Sequence, residues 1–75
     1  MIAHLNHILI FKTNIDCPEA REKLRPVLDA HSAIRQWSVD LHDCDCVLRV
    51  ISETLKPDDI IAMANAHGFE CSELE

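Results

Sequence analysis

The sequence predicts an α+β fold with the element order strand, helix, strand, strand, helix, strand. Four segments show the apolar runs or period-two alternation of β-strands, and two others carry apolar residues at the spacing of an α-helix. Each helical segment opens with a proline, Pro18 or Pro57, which suits the first helical position because no N–H is needed there. The chain has 75 residues, of which 48% are apolar, so we assign residues 1–75 to one small domain.

The first part of the chain supplies a strand and a helix. Residues 4–13 form the predicted first strand, since the continuous β-forming run from Ile8 to Phe11 is typical of a strand with apolar neighbours on both faces. Residues 18–31 form the predicted first helix, and Pro26 inside it is expected to bend the helix without ending it. The apolar face of this helix is marked by five residues at helical spacing: Ala20, Leu24, Val27, Leu28 and His31.

The middle of the chain reads as a β-hairpin. Apolar and polar residues alternate through residues 34–41, which predicts a half-buried second strand. Residues 42–45 are polar turn formers, and residues 46–52 form the predicted third strand. Arg49 is expected to point away from the core, so that Cys46 and alternate residues after it point inward.

The chain closes with a second helix and a short strand. Residues 57–67 carry the helical pattern, and Gly68 supplies the left-handed position that commonly follows a helix. Residues 69–74 form the predicted last strand. Because crossover connections are right-handed, we expect one antiparallel sheet in the strand order 4-1-3-2 with both helices on one face. This βαββαβ arrangement is the ferredoxin-like fold.

Charge and composition exclude several kinds of partner. The net charge of −6 disfavours nucleic acid and anionic membrane surfaces, because both attract Lys and Arg. The N-terminal residues lack a basic segment followed by a long apolar one, so we expect a cytoplasmic protein. In that compartment the four cysteines are expected to be free thiols or metal ligands rather than disulfides.

Cys17 lies where the predicted first strand passes into the first helix. Its place before Pro18 puts it at a helix N-terminus, where backbone N–H groups and the helix dipole favour the thiolate that binds metals or acts as a nucleophile. Asp16 and Glu19 oppose this effect with their negative charge. In the predicted topology, Cys17 shares one end of the sheet with residues of two other segments: His42, Cys44, Cys46, His67 and Cys71.

Three short segments connect this order of elements to a known family. Residues 14–20 (Asn-Ile-Asp-Cys-Pro-Glu-Ala) lead from strand to helix, residues 38–41 (Ser-Val-Asp-Leu) lie in the second strand, and residues 67–70 (His-Gly-Phe-Glu) precede the last strand. The chain resembles the heavy-metal-associated domains of copper chaperones and metal-pumping ATPases. In those domains a Gly-Met-x-Cys-x-x-Cys loop, a Val-Asp-Leu segment and a Gly-Tyr or Gly-Phe segment occupy the same places. The resemblance implies a soft-metal site, with Ile15 in place of the buried Met and Cys17 as first ligand.

The second cysteine of that motif is replaced by Ala20, so the motif is degenerate. The family binds a soft ion such as Cu(I) between two thiolates, and a single thiolate is not a chelate. Cys46, Cys71 and His67 are the candidate replacements, because the predicted topology brings them to the end of the sheet that holds Cys17. A site made of these residues suits Cu(I) or Zn(II), and we expect it to bind weakly.

Two other functions stay open. A metal-independent interaction or dimerisation module would use the Cys17 end of the domain or the open sheet face, where four apolar residues are expected around Arg49: Ile8, Ile10, Val47 and Ile51. A thiol redox protein is a remote alternative, since Cys17-Pro18 opens a helix but position 20 carries no resolving cysteine. The sequence contains no paired carboxylates, Ser-His-Asp set or Gly-rich phosphate loop, so we expect no other enzymatic activity.

Overall fold

The structure, a computed structural model, describes residues 8–74 and contains the six predicted elements in order. The first predicted strand is confirmed over residues 8–13, and its residues 4–7 lie outside the described residues. The helices match their predicted bounds to within one residue. The last three strands are shorter than predicted, by one or two residues at each end. The elements are β1 (Ile8–Thr13), α1 (Pro18–Ala30), β2 (Gln36–Val39), β3 (Leu48–Ile51), α2 (Pro57–Ala66) and β4 (Cys71–Glu73).

The four strands form one sheet in the order β2-β3-β1-β4, and every neighbouring pair is antiparallel. This confirms the predicted ferredoxin-like topology. Phe11 lies opposite Leu48 in the β1–β3 ladder, and Thr13 lies opposite Cys71 in the β1–β4 ladder. The ladders therefore fix which loops meet at each end of the sheet.

One face of the sheet packs against both helices to form the core. Alternate residues of β1 and β3 point to this face, because side chains alternate along a strand. Leu24 and Leu28 of α1 and Ile60 of α2 meet them there. The buried cluster consists of Phe11, Ile15, Leu24, Leu28, Leu48, Val50 and Ile60.

The opposite face of the sheet is open, and it differs from the prediction at one position. Ile8 is 49% exposed and Arg49 is exposed, as expected, but Val47 is only 6% exposed. The expectation that Val47 is displayed on the open face is wrong. Val47 precedes β3 and lies in the hairpin, where its carbonyl accepts a hydrogen bond from the Asp40 N–H at 2.9 Å.

The helix ends follow the predicted signals. Cys17 is the N-terminal cap of α1 with extended backbone angles, Pro18 is its first residue, and the helix continues through Pro26. After α2, Gly68 has a φ of +87°, its N–H donates to the Asn65 carbonyl, and the Phe69 N–H donates to the Ala64 carbonyl, both at 3.0 Å. This pair of bonds is the Schellman motif, and it turns the chain into β4. Within residues 8–74, neither helix combines the length and apolar character needed to span a membrane.

Candidate metal site

Thr13, the last residue of β1, joins two of the three segments that carry the candidate ligands. Its hydroxyl donates a hydrogen bond of 2.6 Å to the Cys46 carbonyl and accepts one of 3.1 Å from the Ile15 N–H. Its own N–H donates to the Asp45 carbonyl at 3.0 Å. Thr13 is 8% exposed, so these bonds are shielded from water. They hold the hairpin against the loop that leads to Cys17.

The third segment, which leads into β4, reaches the same end of the sheet. The Asn14 side-chain oxygen accepts a hydrogen bond of 2.9 Å from the Glu70 N–H, and Cys71 lies opposite Thr13 in the ladder. The prediction that three separate segments meet at one end of the domain is therefore confirmed. The polar contacts that join them pair the Thr13 and Asn14 side chains, and the Thr13 N–H, with backbone groups, and none of them uses a cysteine side chain.

Cys17 occupies the loop between β1 and α1, where it is partly exposed. Ile15, two residues earlier, is fully buried in the core, as expected of the residue that takes the place of the family's Met. The Cys17 carbonyl accepts the first helical hydrogen bond, from the Arg21 N–H at 3.1 Å. The thiol is thus held at the N-terminus of a 13-residue helix and remains accessible to an ion or a reagent.

Cys46 is the least accessible of the candidate thiols. It is 9% exposed, it has a φ of +47°, and its N–H donates to the Asp43 carbonyl at 2.9 Å. Burial raises the pKa of its thiol, and the nearby carboxylate of Asp16 raises it further, followed by those of Asp43 and Asp45. At neutral pH Cys46 is therefore protonated and packed, which opposes metal binding.

Cys71 and His67 differ in how readily they offer a ligand atom. Cys71 packs against the core, and burial raises its pKa to about 11. His67 caps the C-terminus of α2, is exposed, and lies with its Nδ1 2.9 Å from the Met63 carbonyl. If Nδ1 donates the proton of that hydrogen bond, Nε2 carries the lone pair and is the atom available to a metal. His67 is thus the more exposed of the two residues.

The closest group of ligand atoms lies in the hairpin and was not predicted as a ligand set. In the part of the chain that the structure describes, only Asp43, Cys44 and Asp45 place three such atoms within 4.8 Å of one another. Asp43 already accepts the Asp45 N–H at 2.8 Å, and Asp45 lies 3.9 Å from the Lys12 ammonium group. The Asp-Cys-Asp spacing is the sequence signal for this group. Clusters of this kind are common on surfaces, so the group alone indicates no bound ion.

The four predicted ligands share one end of the domain without forming such a compact group. Cys17, Cys46, Cys71 and His67 all lie in the described residues, and their ligand atoms make no set of three within 4.8 Å. An ion bound by Cys17 and two of the others would require side-chain or loop movement. The ligand set therefore stays a prediction.

We expect Cys17 to react fastest with a limiting amount of iodoacetamide at pH 7. Cys17 is partly exposed at the N-terminus of α1, whereas burial holds Cys46 and Cys71 protonated, and Cys44 lies between the carboxylates of Asp43 and Asp45. Mass mapping after brief labelling measures the order, and faster labelling of Cys44 would contradict it.

Labelling of Cys71 should rise about tenfold per pH unit towards its pKa of about 11, because the thiolate is the reacting form.

Comparison with known proteins identifies the fold. No family model and no curated protein matches the chain. The heavy-metal-associated domain of the copper chaperone for superoxide dismutase, in its apo form, matches with a TM-score of 0.77 and 19% identity. The match covers 91% of this chain and 66% of that one, so this chain spans slightly less than two thirds of that relative.

Two further solved structures agree. The yeast copper transporter domain Ccc2a, solved in apo and Cu(I)-loaded states, matches with a TM-score of 0.77 and 17% identity over 92% of this chain and 96% of its own. The N-terminal domain of ZntA in its Zn(II) form matches with a TM-score of 0.73 and 13% identity over 91% and 92%. This chain has the fold of the heavy-metal-associated domains.

Proposed function

We propose that this domain is a non-enzymatic module that binds a soft metal ion, Cu(I) or Zn(II), weakly through Cys17. The observation that carries the proposal is the place of Cys17, partly exposed at the N-terminal cap of α1 and anchored by the buried Ile15. The fold supports it, because two of the matched domains were solved in Cu(I)-loaded and Zn(II) forms. A thiolate is the ligand that soft ions prefer.

The binding is weak because the domain does not offer a second thiolate at low cost. Cys46 and Cys71 must each lose a proton that burial retains, and each must leave its packing to reach an ion beside Cys17. Metal affinity falls when ligands must first be deprotonated and rearranged. His67 is the exposed alternative, and a neutral imidazole suits Zn(II).

A partner protein completes the site in this proposal. An ion held by one thiolate keeps open coordination positions, so a cysteine of a second copy or of a target domain can bind it directly. Asp16 and Glu19 beside Cys17 are exposed and acidic, and the net charge is −6. These charges favour a basic partner surface around its own metal ligand.

A competition titration tests the proposal. Against a colorimetric chelator of known affinity, the wild-type domain should bind one equivalent of Cu(I) weakly, and Cys17→Ser should bind at least about tenfold more weakly, a loss near 1.4 kcal/mol. Cys44→Ser is the matched control and should leave the affinity unchanged. Equal binding by the wild type and Cys17→Ser would contradict the role of Cys17, and tight one-to-one binding by the wild type would contradict the single-thiolate model.

A metal-independent interaction module is the second candidate, and the open sheet face favours it. Among the described residues, Ile8 is the only large hydrophobic residue with an exposed side chain. It lies opposite the half-buried Ile51 in the β1–β3 ladder. With Arg49 these residues border a shallow depression of about 160 Å³. Absence of binding at millimolar Cu(I) or Zn(II) in the titration would make this the better description.

A further inference from the structure

The open face of the sheet carries a cation that has no anionic partner in the described part of the chain. Arg49 is exposed on this face, on the inner strand β3, between Ile10 of β1 and Ser38 of β2. The chain has 13 Asp and Glu and only seven Lys and Arg, so carboxylates are plentiful. Every other arginine pairs with one within 4.0 Å: Arg21, Arg25 and Arg35. Arg49 is therefore the one arginine that residues 8–74 leave without a carboxylate.

A shallow apolar depression lies beside Arg49. Its volume is about 160 Å³, and Ile8, which is 49% exposed, borders it together with Ile51. Trp37, Gln36 and Ser38 complete the lining, which includes no acidic residue among those the structure describes. Because a cavity of about 150 Å³ can hold a benzene molecule, the depression has room for one phenylalanine or leucine side chain.

The geometry of this face suits a helix better than a strand. β1 and β3 each pair with a neighbour on both sides, so their backbone N–H and C=O groups are used within the sheet. A strand laid on the face would find no ladder to join. A helix satisfies its own backbone groups and packs on a sheet through its side chains. Residues four apart on a helix are about 5–6 Å apart, so neighbouring side chains can reach the depression and Arg49 together.

We propose that the open sheet face binds an amphipathic helix of a partner protein. A Phe or Leu of that helix fills the depression beside Ile8 and Ile51, and a Glu one turn away pairs with Arg49. The proposal rests on the interaction-module candidate described above and names its occupant. None of the four candidate metal ligands lines the depression, so the helix and a metal ion bind at separate places.

A second copy of this chain does not meet the same requirements. Ile8 is the only large hydrophobic residue exposed within residues 8–74, so neither helix of a second copy offers a side chain for the depression. A two-fold contact between two open faces would set Arg49 against a lining without carboxylates and near its own counterpart. Removing an unpaired cation from water opposes association. A different protein is therefore the favoured occupant.

The test uses an alanine-based helical peptide of about 16 residues that carries one Phe and one Glu four positions apart. On addition of millimolar peptide, the amide NMR signals of Arg49 and Ile51 should shift and saturate. Arg49→Gln should weaken binding about twofold to fivefold, as expected for an exposed ion pair. Ile8→Thr keeps the β-branched shape but loses apolar contact, and should weaken binding about fivefold. Lys23→Gln removes one positive charge from the exposed surface of α1 and is the matched control, with unchanged affinity.

A second peptide with Gln in place of Glu identifies the contact to Arg49. The wild type should bind it about twofold to fivefold more weakly, whereas Arg49→Gln should bind both peptides equally. If Arg49→Gln still distinguishes the two peptides, Arg49 does not pair with the carboxylate and the proposal is wrong. Weaker binding by Ile8→Thr would in that case retain the broader interaction-module candidate, so the two failures are distinguishable.

Three further outcomes would overturn the proposal. The first is no saturable shift at millimolar peptide. The second is a shift of the Arg49 signal with protein concentration alone, which would place a second copy on the face. The third is a nuclear Overhauser contact between residues 1–7 and Ile51 in the free protein, which would place the chain's own first residues there. Thermal melts establish folding, and Arg49→Gln carries the test if Ile8→Thr does not fold. All titrations contain EDTA, so their result is separate from that of the Cu(I) titration.

Discussion

Replacement of Ala20 by cysteine is expected to raise the affinity of the domain for Cu(I) by on the order of 10²–10⁴-fold. Ala20 is the third residue of α1, and Cys17 is the cap, so the two positions lie within one helical turn. A second thiolate there binds an ion already held by Cys17, and the second bond becomes intramolecular. Ala20 is only partly buried, so a sulfhydryl group fits without a large rearrangement.

Ala20→Ser is the matched control, because it adds a side chain of similar size with no soft ligand. The chelator competition used for the wild type measures all variants. Ala20→Ser should bind like the wild type, and Cys17→Ser/Ala20→Cys should bind no more tightly than the wild type. If Ala20→Cys gains no affinity, then Cys17 does not direct its thiolate to a metal, and the proposed function fails.

The order of the elements could be predicted because each helix carries its own local signals. Pro18 and Pro57 open the helices at the predicted residues, and Gly68 adopts the positive φ that ends α2. The strand bounds were predicted less well, since alternation of side chains continues beyond the ladder. In the hairpin, Asp40 accepts the His42 N–H at 3.1 Å and Asp43 accepts the Asp45 N–H at 2.8 Å. Such local side-chain bonds compete with strand pairing and shorten both strands.

The candidate site could be predicted only as far as topology determines it. The strand order brings Cys17, Cys46 and Cys71 to one end of the sheet, and their shared location was predictable for that reason. The hydrogen bond from the Thr13 hydroxyl to the Cys46 carbonyl joins residues 33 positions apart in the chain. No pattern in the local sequence predicts a contact between residues so far apart. The burial of Cys46, which is 9% exposed, agrees with its predicted inward direction, but its bond to Thr13 was for the same reason not predictable from the residues around it.

Replacement of Thr13 by valine is expected to lower the free energy of unfolding by about 2–4 kcal/mol. Valine has nearly the shape of threonine and suits a strand, so packing is retained. The lost hydroxyl leaves two buried backbone groups without a partner, the Cys46 carbonyl and the Ile15 N–H. Each such group costs about 1–3 kcal/mol. In a domain of 75 residues this is a large part of the total stability.

Urea denaturation measures the effect, and Thr13→Ser is the control. Serine keeps the hydroxyl and loses one methyl group, so it should cost only about 1 kcal/mol. Valine as stable as serine would show that the hydroxyl does not hold the loops together. In the folded Thr13→Val protein, the segment around Cys46 loses its side-chain bond to β1 and keeps only the backbone bond to the Asp45 carbonyl, so alkylation of Cys46 should accelerate relative to Cys71. The ratio of the two alkylation rates separates a loosened hairpin from a general loss of stability. Global unfolding exposes Cys46 and Cys71 equally, whereas loosening of the hairpin exposes Cys46 alone, because Cys71 lies in the β1–β4 ladder.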